Sequence, residues 1–191
     1  HRNLDIKNQI LEIRKVKSKN LKVGAAVGAG PFEIKRAEAL LREKIDLIVV
    51  DTAHGHTKKV AEIVKKIKRL KSKKTTLCAG NIATTEASKF LSNLGVDAIK
   101  VGIGPGSICT TRLVAGIGVP QLSAILAAKK GLGKKKITLI ADGGIKFSGD
   151  ISKALAAGAD AVMIGSLFAG SSESPGKKIK KNGKYFKSFR G

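Results

Sequence analysis

One unit recurs along the chain: a short apolar, β-branched run ends in a turn that contains glycine or aspartate, and a helical pattern follows. The runs occupy residues 21–27, 46–51, 75–80, 98–103, 137–142 and 161–166. Continuous apolar strands that alternate with helices indicate a parallel sheet with helices on its faces. This feature restricts the fold to the α/β class, as an open doubly wound sheet or a closed barrel.

The residues that follow the strands distinguish these two folds. A doubly wound sheet needs a glycine-rich fingerprint after one early strand. Here polar or glycine-rich signals follow almost every strand, as expected when all βα loops meet on one face of a barrel. We therefore predict a (β/α)8 TIM barrel. The six apolar runs account for about six of its eight βα units. This agrees with the chain length, since such a barrel takes about 250 residues and the chain has 191.

The chain divides into three segments. We expect residues 1–20 to form the helix of an early βα unit, residues 21–170 the main barrel, and residues 171–191 a polar, hairpin-like segment. In that last segment, Asn182-Gly183 is a tight-turn signal. No apolar run approaches the ~18 residues of a membrane span. Cys78 and Cys109 form no disulfide framework, and they fit a reducing, cytoplasmic compartment.

The formal net charge of +23 suggests polyanionic partners. However, the densest lysine run, residues 57–74, keeps four apolar residues at helical spacing, so its lysines fit the solvated face of an amphipathic helix. Aromatic residues make up only 4% of the chain, which leaves few platforms for stacking bases. We do not expect a dedicated nucleic-acid site, although the charge leaves nucleic-acid binding open.

Glycine-containing turns follow the last two strands. Asp142 leads into Gly143-Gly144, and the last strand ends at Gly165-Ser166. Loops in these positions of a barrel commonly bind phosphate, because glycine lets backbone N–H groups approach the anion. Asp142 would repel phosphate but could accept hydrogen bonds from ribose hydroxyls. The pair of turns predicts a nucleotide monophosphate site; each glycine taken alone could equally be a tight turn.

Polar side chains also follow two middle strands. Asp51 and Asn81 would lie over the barrel mouth, where a carboxylate and an amide fit recognition of ribose or nicotinamide. A metal site of Asp51, His54 and His56 is the weaker interpretation, because the helical spacing of a zinc site is missing and no second ligand cluster is in view. Cys78 stands inside an apolar strand and is expected to fill the core.

Cys109 lies in the glycine-rich stretch GIGPGSICTTR, residues 102–112. Nearby cations or oriented N–H groups favour a reactive thiolate, and Arg112 is close in sequence. Thr110 and Thr111 could orient a substrate or a water molecule. No histidine at a fixed spacing supports a protease-like pair. Composition alone leaves both an inert loop thiol and a nucleophile open.

Four segments together resemble the IMP dehydrogenase/GMP reductase family. They are GIGPGSICTTRLVAGIGVPQLSAI at 102–125, DTAHGH at 51–56, CAGNIAT at 78–84 and ADGGIKFSGDISKALAAGADAVMIGSLFAG at 141–170. The opening HRNLDIKNQ and the closing KYFKSFRG extend the resemblance over nearly the whole chain. The resemblance implies a (β/α)8 barrel that oxidises inosine 5'-monophosphate (IMP) to xanthosine 5'-monophosphate (XMP) with NAD, in a cytoplasmic homotetramer without membrane contact.

The resemblance also implies residue roles. Cys109 would attack the purine C2 and form a thioimidate that water hydrolyses, with Thr111 beside the reacting centre. The residues that would hold the nucleotide are Ser107, Asp142, Gly144, Gly165 and Ser166. Those that would hold NAD are Asp51, Thr52, Ala53, Asn81 and Gly102. A monovalent cation, usually K⁺, would be bound by the carbonyls of Gly104, Gly106 and Cys109.

Three departures from the family pattern are noted. The family usually inserts a pair of CBS modules near residues 20/21, where Leu21 follows the first helix directly. Two barrel strands would precede His1, and a flap with a water-activating Arg-Tyr pair would follow Gly191, so we expect this chain alone to lack complete hydrolysis machinery. Phe189 stands where the family commonly has a tyrosine that touches the phosphate.

Two alternative functions remain. GMP reductase, which deaminates GMP to IMP with NADPH, shares the barrel and the cysteine loop and has no CBS pair. DTAHGH and DGGIKFSGD are more typical of the dehydrogenase. The other alternative is a non-catalytic barrel fragment that binds nucleotide or RNA.

Overall fold

The computed structural model describes residues 3–188. Six parallel strands form one sheet: β1 (Gly24–Val27), β2 (Leu47–Asp51), β3 (Thr76–Ile82), β4 (Ala98–Val101), β5 (Thr138–Asp142) and β6 (Ala161–Met163). Their spatial order is their order in the chain, and each strand pairs in parallel with the next. A doubly wound sheet would reverse its order at a switch point. The sheet instead curls as six units of the predicted (β/α)8 barrel.

Helices precede and separate the strands: α1 (Ile6–Lys17), α2 (Glu33–Arg42), α3 (Lys58–Leu70), α4 (Thr85–Leu94), α5 (Thr111–Val114), α6 (Gln121–Leu132), α7 (Ser148–Ala156) and α8 (Ser166–Ala169). The lysine-rich α3 buries Val60, Ile63, Val64 and Ile67 against the sheet, as its spacing predicted. No helix within residues 3–188 combines the length and the apolar character needed to cross a membrane.

Capping residues set the starts and ends of several helices. Thr84 Oγ1 accepts a hydrogen bond from Ala87 N at 3.2 Å and so begins α4. Gly95 ends the same helix with a left-handed φ of 75°. Pro120 is the N-cap of α6. The N-caps Thr84 and Pro120 therefore mark where the βα loops after β3 and β4 end.

Helix α1 lies beside α2. Gln9, which is buried, donates from Nε2 to Ala26 O at 3.1 Å and accepts from Arg36 Nη1 at 2.7 Å. Arg14 forms a salt bridge with Glu43 at 2.6 Å. Within the first predicted segment, residues 1–20, the helix spans Ile6–Lys17 and packs on the first βα unit of the sheet.

An aspartate placed just before every second strand fixes the register of that strand with the preceding one. Each aspartate pairs with one residue in the preceding strand or directly before that strand. The aspartate N–H donates to the carbonyl of this partner residue, and the aspartate carboxylate accepts a hydrogen bond from the N–H of the same partner. The three pairs are Asp46 with Val23, Asp97 with Leu77 and Asp160 with Leu139, at 2.7 to 2.9 Å. This repeated reciprocal bond aligns the strands in pairs, so their carboxyl ends reach the same edge.

A separate two-stranded hairpin follows the sheet. Strands β7 (Lys178–Lys181) and β8 (Lys184–Lys187) pair antiparallel. Between them Asn182 and Gly183 both have positive φ, 50° and 74°, which suits the tight turn that the sequence indicated. Lys187 Nζ ties the hairpin back by donating to Ser171 O at 2.6 Å. The prediction about Phe189 lies outside the described residues.

Candidate active site

A cavity of about 600 Å³ opens at the carboxyl ends of β2 to β6. This is the face on which parallel barrels carry their ligand sites. The residues to which the resemblance gives catalytic, nucleotide, NAD or K⁺ roles all line it: Asp51, Thr52, Ala53, Asn81, Gly102, Gly104, Gly106, Ser107, Cys109, Thr111, Asp142, Gly144, Gly165 and Ser166. His54 and His56 of the alternative metal site do not line it. The fold thus brings the candidate residues from four distant segments to one place.

The turn after β5 and the cysteine loop after β4 lie against each other. A Cβ on Gly143, which has a φ of 86°, would lie 3.0 Å from Pro105 Cγ and 3.1 Å from Gly106 N. Glycine is required there both for the backbone conformation and for the close approach. The predicted phosphate loop and the predicted nucleophile loop therefore support each other directly.

Cys109 presents an exposed thiol on its loop. Its Sγ lies 3.2 Å from Thr111 Oγ1, and as a thiol it donates to that hydroxyl. The pKa of Cys109 is below its ordinary value, first because the Thr111 hydroxyl and backbone N–H favour the thiolate and then because of the Arg112 charge; slight burial acts in the opposite direction. A lowered pKa gives more thiolate, the nucleophilic form, at neutral pH.

Arg112 has a different main role from the one that its proximity in sequence suggested. Its Nη2 donates to Val119 O at 2.7 Å, and its side chain packs against Gly104 and Gly118. The guanidinium therefore joins the two ends of the cysteine loop. Its charge supports the Cys109 thiolate less than the Thr111 hydrogen bonds do.

Lys100 is a cavity residue that the sequence analysis missed. Its Nζ lies 2.9 Å from Asp51 Oδ1 and 2.6 Å from Asp142 Oδ2, and its side chain is only 7% exposed. Burial acts to lower the pKa of this ammonium, but the charges and hydrogen bonds of Asp142 and Asp51 together raise it above its ordinary value. The available signal was a lysine inside the otherwise apolar strand AIKV.

Asn81 connects the ends of β4 and β5 through hydrogen bonds of its side chain. Its Nδ2 donates to Asp142 Oδ2 at 2.9 Å and to Gly102 O at 2.8 Å. The pairing of β3 with β4 is irregular between Gly80 and Ile82, which leaves Asn81 out of the ladder. Its buried Oδ1 has no hydrogen-bond partner among the described residues, so an acceptor is available for a ligand.

The two histidines of DTAHGH do not form a metal centre. Both are exposed, and the His56 ring packs on Phe90 with centroids 4.5 Å apart. Across residues 3–188 there is no cluster of three or more histidine, cysteine, aspartate or glutamate side chains suited to a metal ion. Cys78 fills the core, and burial raises its pKa to about 12, so it is an unreactive thiol.

These features define a class: a (β/α)8-barrel protein with a ligand-sized cavity and an exposed thiol at the face where the fold carries its active sites. The chain belongs to the IMP dehydrogenase / GMP reductase family, whose domain matches residues 1–191. The resemblance noted in the sequence is thereby confirmed.

Curated relatives cover most or all of the chain. Inosine-5'-monophosphate dehydrogenase from Rhodopirellula baltica is 58% identical over 171 residues, which are 90% of this chain and 31% of the relative. The enzyme of that name from Borreliella burgdorferi is 50% identical over 191 residues, which are 100% of this chain and 47% of the relative. The chain thus spans between about a third and about a half of these relatives.

A solved structure shows the same fold. GMP reductase from Trypanosoma brucei, in complex with guanosine 5'-monophosphate, superposes with a TM-score of 0.82 at 47% sequence identity. The match covers 87% of this chain and 35% of that protein. It confirms the barrel fold predicted from the alternating strands and helices.

Proposed function

We propose that the protein containing this chain oxidises IMP to XMP with NAD, through a covalent intermediate on Cys109 that water then hydrolyses, as a step of guanine nucleotide biosynthesis. The relatives named inosine-5'-monophosphate dehydrogenase, at 50–58% identity, support this reaction. The observation that carries it is the exposed, thiolate-favouring Cys109 at the mouth of a cavity lined by both glycine turns.

The chemistry begins at the sulfur of Cys109. The thiolate donates its electron pair to the purine C2 of IMP, and Thr111, 3.2 Å from the sulfur, holds it for attack. Loss of a hydride from C2, for which NAD would be the acceptor when bound, leaves a thioimidate on Cys109. Water then adds to C2, and the sulfur leaves as the thiolate while XMP is released. Covalent catalysis of this kind divides one difficult substitution into two easier steps.

The nucleotide is proposed to lie between the two glycine turns. Asp142 Oδ2 is occupied by Lys100 and Asn81, while Oδ1 has no hydrogen-bond partner in the described part of the chain and can accept from ribose hydroxyls. The phosphate is assigned to Gly144, Gly165, Ser166 and Ser107. This placement puts the base near Cys109, since the Gly143 turn rests on the cysteine loop.

NAD is assigned to cavity residues at the carboxyl ends of β2, β3 and β4: Asp51, Thr52, Ala53, Asn81 and Gly102. The residues fit a nicotinamide carboxamide, because the buried Oδ1 of Asn81 lacks a partner within residues 3–188 and can accept from an amide N–H. When bound, NAD supplies the hydride acceptor. The Asp51 carboxylate, 31% exposed, remains able to accept from ribose hydroxyls.

A K⁺ ion is assigned to the carbonyl oxygens of Gly104, Gly106 and Cys109. The donor chemistry fits, because backbone carbonyls are the ligands of monovalent cation sites. The carbonyl of Gly106 accepts from Cys109 N at 3.1 Å and keeps its second lone pair for an ion. Such an ion would hold the cysteine loop in place.

The test uses the full-length protein. It is incubated with IMP and NAD, and NADH is followed by absorbance while XMP is measured by chromatography. We expect both products from the wild type and neither from Cys109→Ala. No NADH from folded wild-type protein would refute the dehydrogenase function.

GMP reductase is the second candidate, and the likeness to a GMP-bound reductase structure favours it specifically. The same preparation is therefore incubated with GMP and NADPH. Release of ammonia with loss of NADPH, together with no NADH from IMP, would make the reductase the function of this chain. The RNA-binding alternative predicts salt-sensitive RNA binding without binding of IMP.

A homotetramer and a cytoplasmic location are proposed from the family resemblance. Leu113 and Val114, in the short helix α5, are 87% and 83% exposed, which suits burial against another part of the assembly. Light scattering of the full-length protein measures the oligomeric state. A monomer at working concentration would contradict the tetramer.

A further inference from the structure

The cavity contains a three-residue charge group whose central lysine, Lys100, has no role in the proposed reaction steps. Lys100 on β4 reaches Asp51 at the end of β2 at 2.9 Å and Asp142 at the end of β5 at 2.6 Å. The two carboxylates come from strands that are separated by β3 and β4 in the sheet. One ammonium therefore spans the cavity between them. We call Asp51, Lys100 and Asp142 the lysine bridge.

The bridge is strongly constrained by its burial. The Lys100 side chain is 7% exposed, while those of Asp51 and Asp142 are 31% and 23% exposed. A buried ammonium is stable only when it is paired and hydrogen-bonded, so Lys100 cannot leave both carboxylates without a large penalty. Removing its charge would place two unneutralised carboxylates around one cavity.

Each carboxylate is anchored through one oxygen. Lys100 holds Asp51 by Oδ1, and Lys100 together with Asn81 holds Asp142 by Oδ2. The second oxygen of each has no hydrogen-bond partner in residues 3–188, although both aspartates line the cavity. The anchored oxygen holds each carboxylate at Lys100, and the other oxygen stays available to a ligand.

We propose that Lys100 is a positioning residue that couples the nucleotide subsite at Asp142 to the dinucleotide subsite at Asp51. A ligand that orders one carboxylate also orders the shared ammonium, so the second ligand has less ordering left to do and binds more tightly. The inference rests on the proposed function, which assigns IMP to Asp142 and NAD to Asp51.

Calorimetry of the full-length protein carrying Cys109→Ala, in which no chemistry occurs, tests the coupling. IMP is titrated with and without saturating NAD in four proteins: otherwise unchanged, Lys100→Met, Lys100→Arg and Lys153→Met. Lys153, 71% exposed on α7, is the matched control for loss of a lysine charge. Circular dichroism melting reports whether each protein is folded.

We expect NAD to tighten IMP binding by about fivefold in the unchanged, Lys100→Arg and Lys153→Met proteins. In Lys100→Met the ratio should fall to about one, and IMP alone should bind at least about tenfold more weakly. Arginine should rescue because it keeps the charge and can reach both carboxylates. A folded Lys100→Met protein with the same ratio as Lys153→Met would overturn the proposal.

A second measurement does not depend on the folding of Lys100→Met. In wild-type protein labelled with nitrogen-15 lysine, the ammonium resonance of Lys100 is assigned as the signal missing from Lys100→Arg. We expect this resonance to shift when either IMP alone or NAD alone is added. A signal that responds to only one ligand would overturn the coupling.

The two proposals fail in different ways. If IMP does not bind and no NADH forms, the dehydrogenase function itself is refuted. If IMP and NAD bind and react but the Lys100 resonance and the binding ratio behave as in the control, only the coupling role of Lys100 is refuted.

Discussion

Thr111 Oγ1 lies 3.2 Å from Cys109 Sγ, and this pair links the proposed nucleophile to the first turn of α5. The hydroxyl accepts from the thiol and can donate to the thiolate once the proton has left. Hydrogen bonds to the charged form stabilise it, which is why the pKa of Cys109 lies below its ordinary value. The reactivity of this thiol is thus set mainly by a neighbour two residues away.

Replacing Thr111 by valine should raise the pKa of Cys109, because the hydroxyl that favours the thiolate is lost. The pH profile of iodoacetamide alkylation should shift to higher pH, and the rate at neutral pH should fall. Thr111→Ser keeps the hydroxyl and should retain a profile close to that of the wild type. Identical profiles for the valine and serine variants would contradict this role.

The other thiol should behave in the opposite way. Cys78 is 1% exposed and its pKa is about 12, because burial disfavours the thiolate. Iodoacetamide should modify Cys109 in the native protein and reach Cys78 only after unfolding, as peptide mapping by mass spectrometry will show. Equal modification of both native thiols would contradict the burial of Cys78.

The same burial gives a pH dependence of stability. Burial raises the pKa of the Cys78 thiol from 9.0 to about 12 in the folded protein. The contribution of this thiol to the free energy of unfolding is therefore complete below pH 9.0 and is lost as the pH rises towards 12. Above about pH 9 the free energy of unfolding of the wild type should fall faster than that of Cys78→Ala, by up to ~1.4 kcal/mol per pH unit. Urea unfolding at several alkaline pH values measures both slopes, and equal slopes would contradict the assignment.

Asp97 should stabilise the sheet more than Glu12 stabilises α1, although both acidic side chains are exposed, because only Asp97 accepts a hydrogen bond from a strand N–H. Its carboxylate accepts from Leu77 N at 2.7 Å and pairs with Lys71 at 3.0 Å. Asp97→Ala leaves the Leu77 N–H without that acceptor and should cost about 1–3 kcal/mol in urea unfolding. Glu12→Ala, which breaks an exposed pair on α1, should cost no more than about 0.5 kcal/mol. Similar losses in both variants would contradict the strand-pairing role of Asp97.

Gly102 and Gly116 form a matched pair for a test of the cysteine loop. Both have positive φ, 144° and 64°, but a Cβ on Gly102 would overlap the carbonyl oxygen of Asp142, whereas one on Gly116 would meet none of the described residues within 4 Å. Gly116→Ala should therefore cost about 1 kcal/mol from backbone strain alone. Gly102→Ala should cost at least about 1 kcal/mol more and weaken nucleotide binding, because Asp142 must move. Equal melting temperatures of the two variants would contradict this packing.

The six strands and the long helices could be predicted because their signals are local. Each apolar run, such as residues 46–51, has the length and branching of a buried strand, and α3 shows helical spacing of its apolar residues. The turn at Asn182-Gly183 was predictable for the same reason. The short helices α5 and α8 were not, because four residues carry no periodicity.

The contacts of Lys100 and Arg112 could not be predicted from their neighbours in the sequence. Lys100 can be buried only because Asp51 and Asp142, 49 residues before it and 42 residues after it, come to the same place. The residues around Lys100, AIKV, carry no signal that identifies these two partners. Arg112 is close to Cys109 in sequence, but its hydrogen bond goes to Val119, and that depends on the path of the loop.

The most direct test of the account is whether Cys109 forms a covalent bond with the nucleotide. Full-length protein is mixed with IMP and NAD, quenched in acid within the first turnover, digested and analysed by mass spectrometry. The account predicts a nucleotide adduct on the peptide that contains Cys109, which requires both ligands and is absent from Cys109→Ala. NADH production by Cys109→Ala at the wild-type rate, with no adduct on the wild-type peptide, would contradict it.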